Sequence, residues 1–559
     1  MARRMNGGWF AWPALLGLLL AAGCGEDVNR DAGTGANGTG GYGTGNIPTG
    51  GMGNGIQPPP PSCDTASAGS ADTQAPQLLV ALGDSGSEAW LASPAVADLD
   101  GDGTNEIIAA RDGRLLVWHA DGSLQWSADL EGRTWASPVV ADVRPDLPGL
   151  EVAQASADKI YLFSADGTPV SGFPYTFRGE LRSLAAGDVD GDQQLELVAV
   201  TTSDLEANGQ TDILIAVHPD GTTVPGFPPN TTGAAGCDDA CYVHAGYDQN
   251  VALGDVNDDG VSDIFATQDN AYNSLHDGHG RGFDCDPMFV NKTKFSGVRG
   301  LHVLSEAQQG YADDESTALQ AHHTNTAPAI ADLDGDGVGD LVYLASVQNA
   351  AQDQRELGVA VWALHNDGTR LASWLVPLHF PGYLSGLWDY GDTNVVAITN
   401  QLSVAELDPT HPGPELVFAG FDGQIHAVTA DGTVLWSVTY TTSATVATGG
   451  VLVADLSGDG VPEIVFNTYS TDSGVSNLFI LDAGGNLQQQ IALPGRGAMP
   501  VPTIADADGD GVLDILVSLK DADGASEVLI YSVPGSSDNC LPWPTGRRDY
   551  LRDGYVPWQ

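Results

Sequence analysis

Short apolar runs separated by Gly, Pro, Asn and Asp fill the chain from about residue 76 to 540, and no long segment has the period of an amphipathic helix. One order of runs keeps returning. Ser93–Ala97 precedes an aspartate-rich loop, Glu106–Ala110 follows it, and Arg114–Trp118 comes next. A turn at Asp121-Gly122 then leads into Leu124–Trp126. Asp-Gly turns recur at 166–167, 220–221, 367–368 and 431–432, and this dipeptide is a strong hairpin signal. Four short antiparallel strands per unit, repeated eight times, predict an all-β, eight-bladed β-propeller over 76–540. The last unit supplies only three strands. The orphan run Gln77–Ala81 stands before the first unit, and pairing it with Val528–Tyr531 would close the ring and remove its exposed edges.

The loop between the first two strands of each unit carries the chemistry. It reads Asp98, Asp100, Asp102, Thr104, Glu106 in the first unit and Asp188, Asp190, Asp192, Gln194, Glu196 in the third. It returns as Asp255, Asn257, Asp259, Val261, Asp263 and as Asp332, Asp334, Asp336, Val338, Asp340. The last two copies are Asp455, Ser457, Asp459, Val461, Glu463 and Asp506, Asp508, Asp510, Val512, Asp514. Side-chain oxygens at positions 1, 3 and 5, a backbone carbonyl at 7 and a carboxylate at 9 suit a hard cation. Ca²⁺ takes six to eight oxygens at ~2.3–2.6 Å.

These units resemble FG-GAP/VCBS repeats, the calcium-binding blades also found in the integrin α-subunit propeller. The resemblance implies fold and calcium, and says little about activity. Two loops, 142–151 and 406–415, are one residue longer. Arg144 in the first is expected to pair with Asp142 and Glu151 and leave that blade metal-free. The second keeps Glu406, Asp408 and Glu415, and its metal content stays open. Its form is similar to the loops of rhamnogalacturonan lyases, which are calcium-loaded eight-bladed propellers.

Charge changes the picture in one respect. With 73 acidic against 21 basic residues the formal charge is -52, which argues against nucleic acid as a partner. Residues 1–23 read as an export signal, with Arg3 and Arg4 before an apolar run. Leu20-Ala21-Ala22-Gly23-Cys24 resembles a bacterial lipobox, which implies lipidation at Cys24 and attachment to a membrane. Gly25 after the cysteine points to an outer-membrane lipoprotein of the cell envelope. Residues 24–75, rich in Gly and then Pro, form a flexible tether. Cys63 and Cys540 flank the repeats, so a bridge between them is the natural pair, while the pairing of Cys237, Cys241 and Cys285 stays open. Residues 541–559 are expected to pack on the closing blade.

Spacing between successive loops lengthens to 67, 77 and 74 residues across units three to five. The extra residues, 230–250, 286–325 and 380–400, map by topology to the face opposite the loops. Long loops on a rigid scaffold are where binding and catalysis concentrate. Trp388 and Tyr390 are the candidate stacking residues, with His244, Arg299 and His323 as polar partners, and Lys292 and Lys294 are the only lysines of these stretches. No nucleophile elbow, phosphate loop or zinc-protease helix is present. The expected function is non-catalytic binding of a protein or glycan. The competing class is a calcium-dependent polysaccharide-active enzyme, which needs an open groove lined by a base and cations.

Overall fold

The computed structural model describes residues 72–557 apart from 84–85, 204–212, 230–245, 248–249, 270, 291, 310–317, 324–325, 350–351, 353, 386–399, 522–525 and 538–539. The expected export signal, Cys24, most of the expected tether with Cys63, and also Cys237, Cys241, His244, Trp388 and Tyr390 lie outside the described residues.

Eight antiparallel blades form a ring, as the repeat pattern predicts. The first runs Ala95–Ala97, Glu106–Arg111, Arg114–His119 and Leu124–Asp129 from the centre outward. Second strands such as Glu106–Arg111 and Glu151–Ser156 are buried at every residue, because both faces are covered by neighbouring blades. Fourth strands such as Leu124–Asp129 and Val434–Thr439 are only partly buried, as their place at the rim dictates. Gln77–Leu82 pairs with Val528–Ser532, from Gln77↔Ser532 to Leu82↔Val528, so the last blade is built from both ends of the repeat array. Arg111 ties blade one to blade eight across this seam. Its guanidinium lies 3.6 Å from Glu527 with both side chains fully buried, and it donates to the carbonyls of Ser87, Asp521 and Glu527. Cys540 is disulfide-bonded.

A tryptophan latch recurs between blades. The indole N–H of Trp126 donates to the Ala165 carbonyl of the next blade at 2.9 Å, and its ring covers Gly167. Trp374 does the same to Ala430 and Gly432, and Trp436 to Ala483 and Gly485. The glycine of the Asp-Gly turn is thus required twice over. Its φ is +80° at Gly167, and a Cβ there would stand 2.7 Å from the Trp126 ring.

The C-terminal segment departs from expectation. It touches the closing blade, where Ile504 N–H donates to Pro544 O at 2.8 Å, and then continues around the inside of the ring. Innermost-strand amides of Val453, Val140, Ala186, Leu253 and Ile330 donate to the carbonyls of Trp543, Tyr550, Leu551, Asp553 and Gly554. Arg552 is fully buried and spends all five donors, on Pro138 O, Thr545 Oγ1, Gly546 O, Ser93 O and Pro94 O. The Arg547 amide reaches Gln401 Oε1 of blade six at 2.9 Å. Every blade therefore contacts the tail. The physical reason is that inner strands leave one row of backbone groups facing the central channel, and the tail supplies their partners.

Candidate metal sites

The six aspartate-rich loops fold alike. Gly101 and Gly103 N–H donate to the two carboxylate oxygens of Asp98 at 2.8 and 2.9 Å, so the first aspartate pulls the loop back over itself. The same pair of bonds holds Asp332, Asp455 and Asp506. The position-5 carboxylate accepts from the amide two residues on, at 2.8–2.9 Å in all six loops. Both turns need positive φ, 76° and 90° at Gly101 and Gly103, and two loops achieve it without glycine, at Gln193 (69°) and Asp258 (60°).

Position 9 carries the electrostatics. Glu106, Glu151, Glu196, Asp263, Asp340, Glu415, Glu463 and Asp514 are each at most 3% exposed. One oxygen accepts the amide of the second loop residue, as Leu99 N–H to Glu106 Oε2 at 2.9 Å. Burial pushes Glu196 and Asp263 up to about 8 and Glu151, Glu463 and Asp514 up to about 7. It also raises Glu106, Asp340 and Glu415. Buried carboxylates crowded by further aspartates call for a cation.

The donor sets fit one. Single oxygens of Asp98, Asp100 and Glu106 lie within 4.8 Å of one another, as do those of Asp188, Asp190, Asp192 and Glu196 and those of Asp332, Asp334 and Asp340. Two oxygens each ~2.4 Å from a shared ion span no more than this. Three blades add an imidazole. His119 Nδ1 stands 3.4 Å from Glu106, His218 Nδ1 3.3 Å from Glu196, and His365 Nδ1 3.2 Å from Asp340. Each belongs to a His-x-Asp-Gly turn and faces position 9 across the second and third strands, a motif whose period matches the loops and which the loop-by-loop reading passes over.

The two longer loops behave differently from expectation. Arg144 pairs bidentately with Asp146 at 2.8 and 2.9 Å and does not bridge Asp142 and Glu151. Only its backbone amide reaches Glu151, at 2.8 Å. Asp142 Oδ1 and Glu151 Oε1 are left buried without hydrogen-bond partners, so the guanidinium does not take an ion's place. In the other, Glu406 Oε1 and Glu415 Oε1 are buried and unpartnered, and burial pushes Glu406 up to about 7. Both keep an acidic pair that a cation would neutralise.

Residues predicted for ligand contact fare unevenly. Arg299 and His323 are 3% and 0% exposed, so neither presents a surface. His323 Nδ1 faces the Tyr272 carbonyl at 3.3 Å, its ring meets Tyr343 edge-on, and burial pushes it down to about 3. Lys292 and Lys294 do not join the face opposite the loops. They sit in a hairpin inserted into the fourth strand of blade four, where Asp284 pairs with Lys294 and Lys292 Nζ donates to Ser296 O. Burial pushes Lys292 down to about 8.

That opposite face carries a cluster the sequence reading did not single out. Two cations meet the Trp90 ring, Lys520 Nζ at 3.2 Å and the Arg133 guanidinium at 4.3 Å from its centroid. Trp135 packs 4.8 Å from Trp90 and lies under Arg182 at 4.0 Å. Inter-blade connections carry Trp90, Arg133 and Trp135, while Arg182 lies in the first strand of blade three and Lys520 in the link between Asp514–Ser518 and Val528–Ser532 of blade eight; Arg133 is exposed.

No family model and no curated protein sequence matches this chain. Among solved structures it is similar to the V. cholerae biofilm matrix protein Bap1, at 15% identity over 87% of this chain and 96% of that one, with a TM-score of 0.49. It is similar also to the exotype rhamnogalacturonan lyase YesX, at 15% identity over 82% and 74% with a TM-score of 0.44. The Dos1 propeller follows at 10% identity over 83% and 97%, with a TM-score of 0.44. The blade pairings, and not these likenesses, establish the fold.

Proposed function

We propose that the chain is a calcium-stabilised, lipid-anchored propeller of the cell envelope, of the FG-GAP/VCBS kind, that binds a protein or glycan without catalysis. The observation that carries the binding reading is the Arg133–Trp90–Lys520 stack with Trp135 and Arg182 beside it. In a chain of net charge -52, exposed arginine on an aromatic floor suits an anionic or aromatic partner. The tail occupies the channel, so the faces of the ring are left for recognition. Trp388, Tyr390 and His244, outside the described residues, are assigned to this face by the loop spacing of the sequence alone. The enzymatic alternative loses support because Lys292 and Lys294 lie in the outer hairpin and not beside a groove on that face.

An array of polysaccharides and glycans, probed with the calcium-loaded protein, tests the reading. Arg133→Ala or Trp388→Ala should weaken binding at least tenfold without changing the melting temperature. Binding indifferent to both substitutions, or cleavage of a bound polysaccharide, would overturn it. Calcium is tested separately. Each site filled at 100 times its Kd adds about 2.7 kcal/mol, so EDTA should lower the melting temperature strongly, and Asp332→Ala should lower the bound calcium by about one ion. An unchanged melt with EDTA sinks the calcium claim.

A further inference from the structure

A cavity of about 90 Å³ lies at the rim between blades four and five, and no residue of the aspartate-rich loops lines it. Three pieces of chain build it. The first is the inserted hairpin of blade four, in which Cys285 N–H donates to Thr293 O at 3.3 Å and the tip at Asp286 reaches Asp367 O of blade five at 3.3 Å. The second is the short helix Leu304–Ala307, just beyond Arg299. The third is blade five itself, whose Tyr343 and Trp362 stack at 5.9 Å and form the floor.

The chemistry of the wall is unusual for this chain. None of the described lining residues is acidic, although 73 of the 559 residues are. Two arginines, Arg299 and Arg370, line it instead. Arg370 donates to the backbone carbonyls of Leu301, His302 and Leu375, with no carboxylate among its partners in the described residues. Three of its five donors are thus used, and no described carboxylate compensates its charge. The Trp362 indole N–H, on a side chain 2% exposed, has no hydrogen-bond partner.

The mouth is apolar. Met288, Val290, Val303, Leu375 and Val376 are 39–76% exposed, and each either lines the cavity or adjoins a lining residue. They are five of the twelve large hydrophobic residues exposed among those described, so the grouping marks a contact surface and not random scatter.

We infer that this cavity binds a small carboxylic acid with one branched apolar group, the carboxylate on Arg370 and the apolar group over Tyr343 and Trp362. A dry cavity of ~150 Å³ accepts benzene, so the smaller volume here suits an isopropyl or isobutyl group. The carboxylate could come from a free acid or from the chain end of a peptide that finishes in a branched residue. The site is separate from the face proposed for macromolecular binding, and either can fail without the other.

Saturation-transfer NMR and calorimetry on the calcium-loaded chain test it, with isovalerate for the free acid, N-acetyl-leucine for the chain end and isovaleramide as the neutral control. Isovalerate or N-acetyl-leucine should bind in about the millimolar range expected of so few atoms, and the amide at least tenfold more weakly. The tighter of the two acids identifies the source. Arg370→Gln should abolish the preference for acid over amide. Because Arg370 also holds backbone carbonyls, Ala307→Leu provides a second arm by filling the cavity, and should block binding with no loss of melting temperature. Equal binding of acid and amide, or unaltered binding by Ala307→Leu, overturns the proposal, as does no binding of either acid.

Discussion

His323 shows how one residue can be read in two ways. In sequence it stands in a long inserted stretch beside His322 and looks like a polar contact. In the structure it is sealed, with Nδ1 on the Tyr272 carbonyl and Nε2 without a partner. Protonation would place a second N–H where no acceptor exists, so its folded pKa is about 3 against an ordinary 6.5. The unfolded chain therefore binds the proton first. The stability that this group contributes is complete above pH 6.5 and is lost as pH falls from 6.5 toward 3, at about 1.4 kcal/mol per unit. His323→Phe should flatten the pH dependence of the melting temperature in that window relative to the parent chain, and parallel curves would refute the assignment. Arg144 was misread for a related reason. Three acids lie within reach along the loop, and only folded geometry selects Asp146, whose carboxylate can meet the guanidinium side-on. The acidic loops were legible because one nine-residue spacing recurs in six of them, and repetition separates a pattern from an accident.

At the scale of the element, the blade was readable and the joint between blades was not. Alternating runs and Asp-Gly turns mark strands and hairpins by local rules. The orphan strand Gln77–Leu82 was readable too, since an apolar run with no unit of its own needs a partner. The tryptophan latch spans 39 residues in the case of Trp126 and Ala165 and leaves no local signature. Gly167→Ala should destabilise the protein by about 2–3 kcal/mol, from left-handed backbone and from collision with the Trp126 ring together. In the Trp126→Ala background the same substitution should cost about 1 kcal/mol, the backbone part alone. Chemical denaturation of the four variants measures the coupling, and additive losses would mean that ring and glycine do not interact. The hairpin at 283–295 escaped the reading because an excursion inside a strand looks, in sequence, like a linker after it.

At the scale of the whole molecule, the tail holds the ring. Backbone groups on the inner edge of a strand cannot be counted from a sequence, so nothing in Trp543-Pro-Thr-Gly-Arg547-Arg548 announces a partner for all eight blades. Arg552 is the centre of that arrangement, and Arg552→Met should cost about 3 kcal/mol or more by stranding the carbonyls of Ser93, Pro94 and Pro138. Calorimetry should show the loss in the single main transition, because blades one and two are anchored by the same side chain. A variant that melts as the parent does would show that these contacts are dispensable.

The position of that tail has a kinetic consequence. Arg552 meets Pro138 across 414 residues of chain and Pro94 across 458. A nascent chain must therefore complete all eight blades before the peg that fills their hole emerges, and until then inner-strand edges stay open to water and to other chains. Contacts of such long range are slow to form, and unpaired strand edges are where growing chains associate wrongly. During synthesis the plug can therefore enter only a ring whose blades have all been made, and the interval before it does leaves the inner edges without their partners.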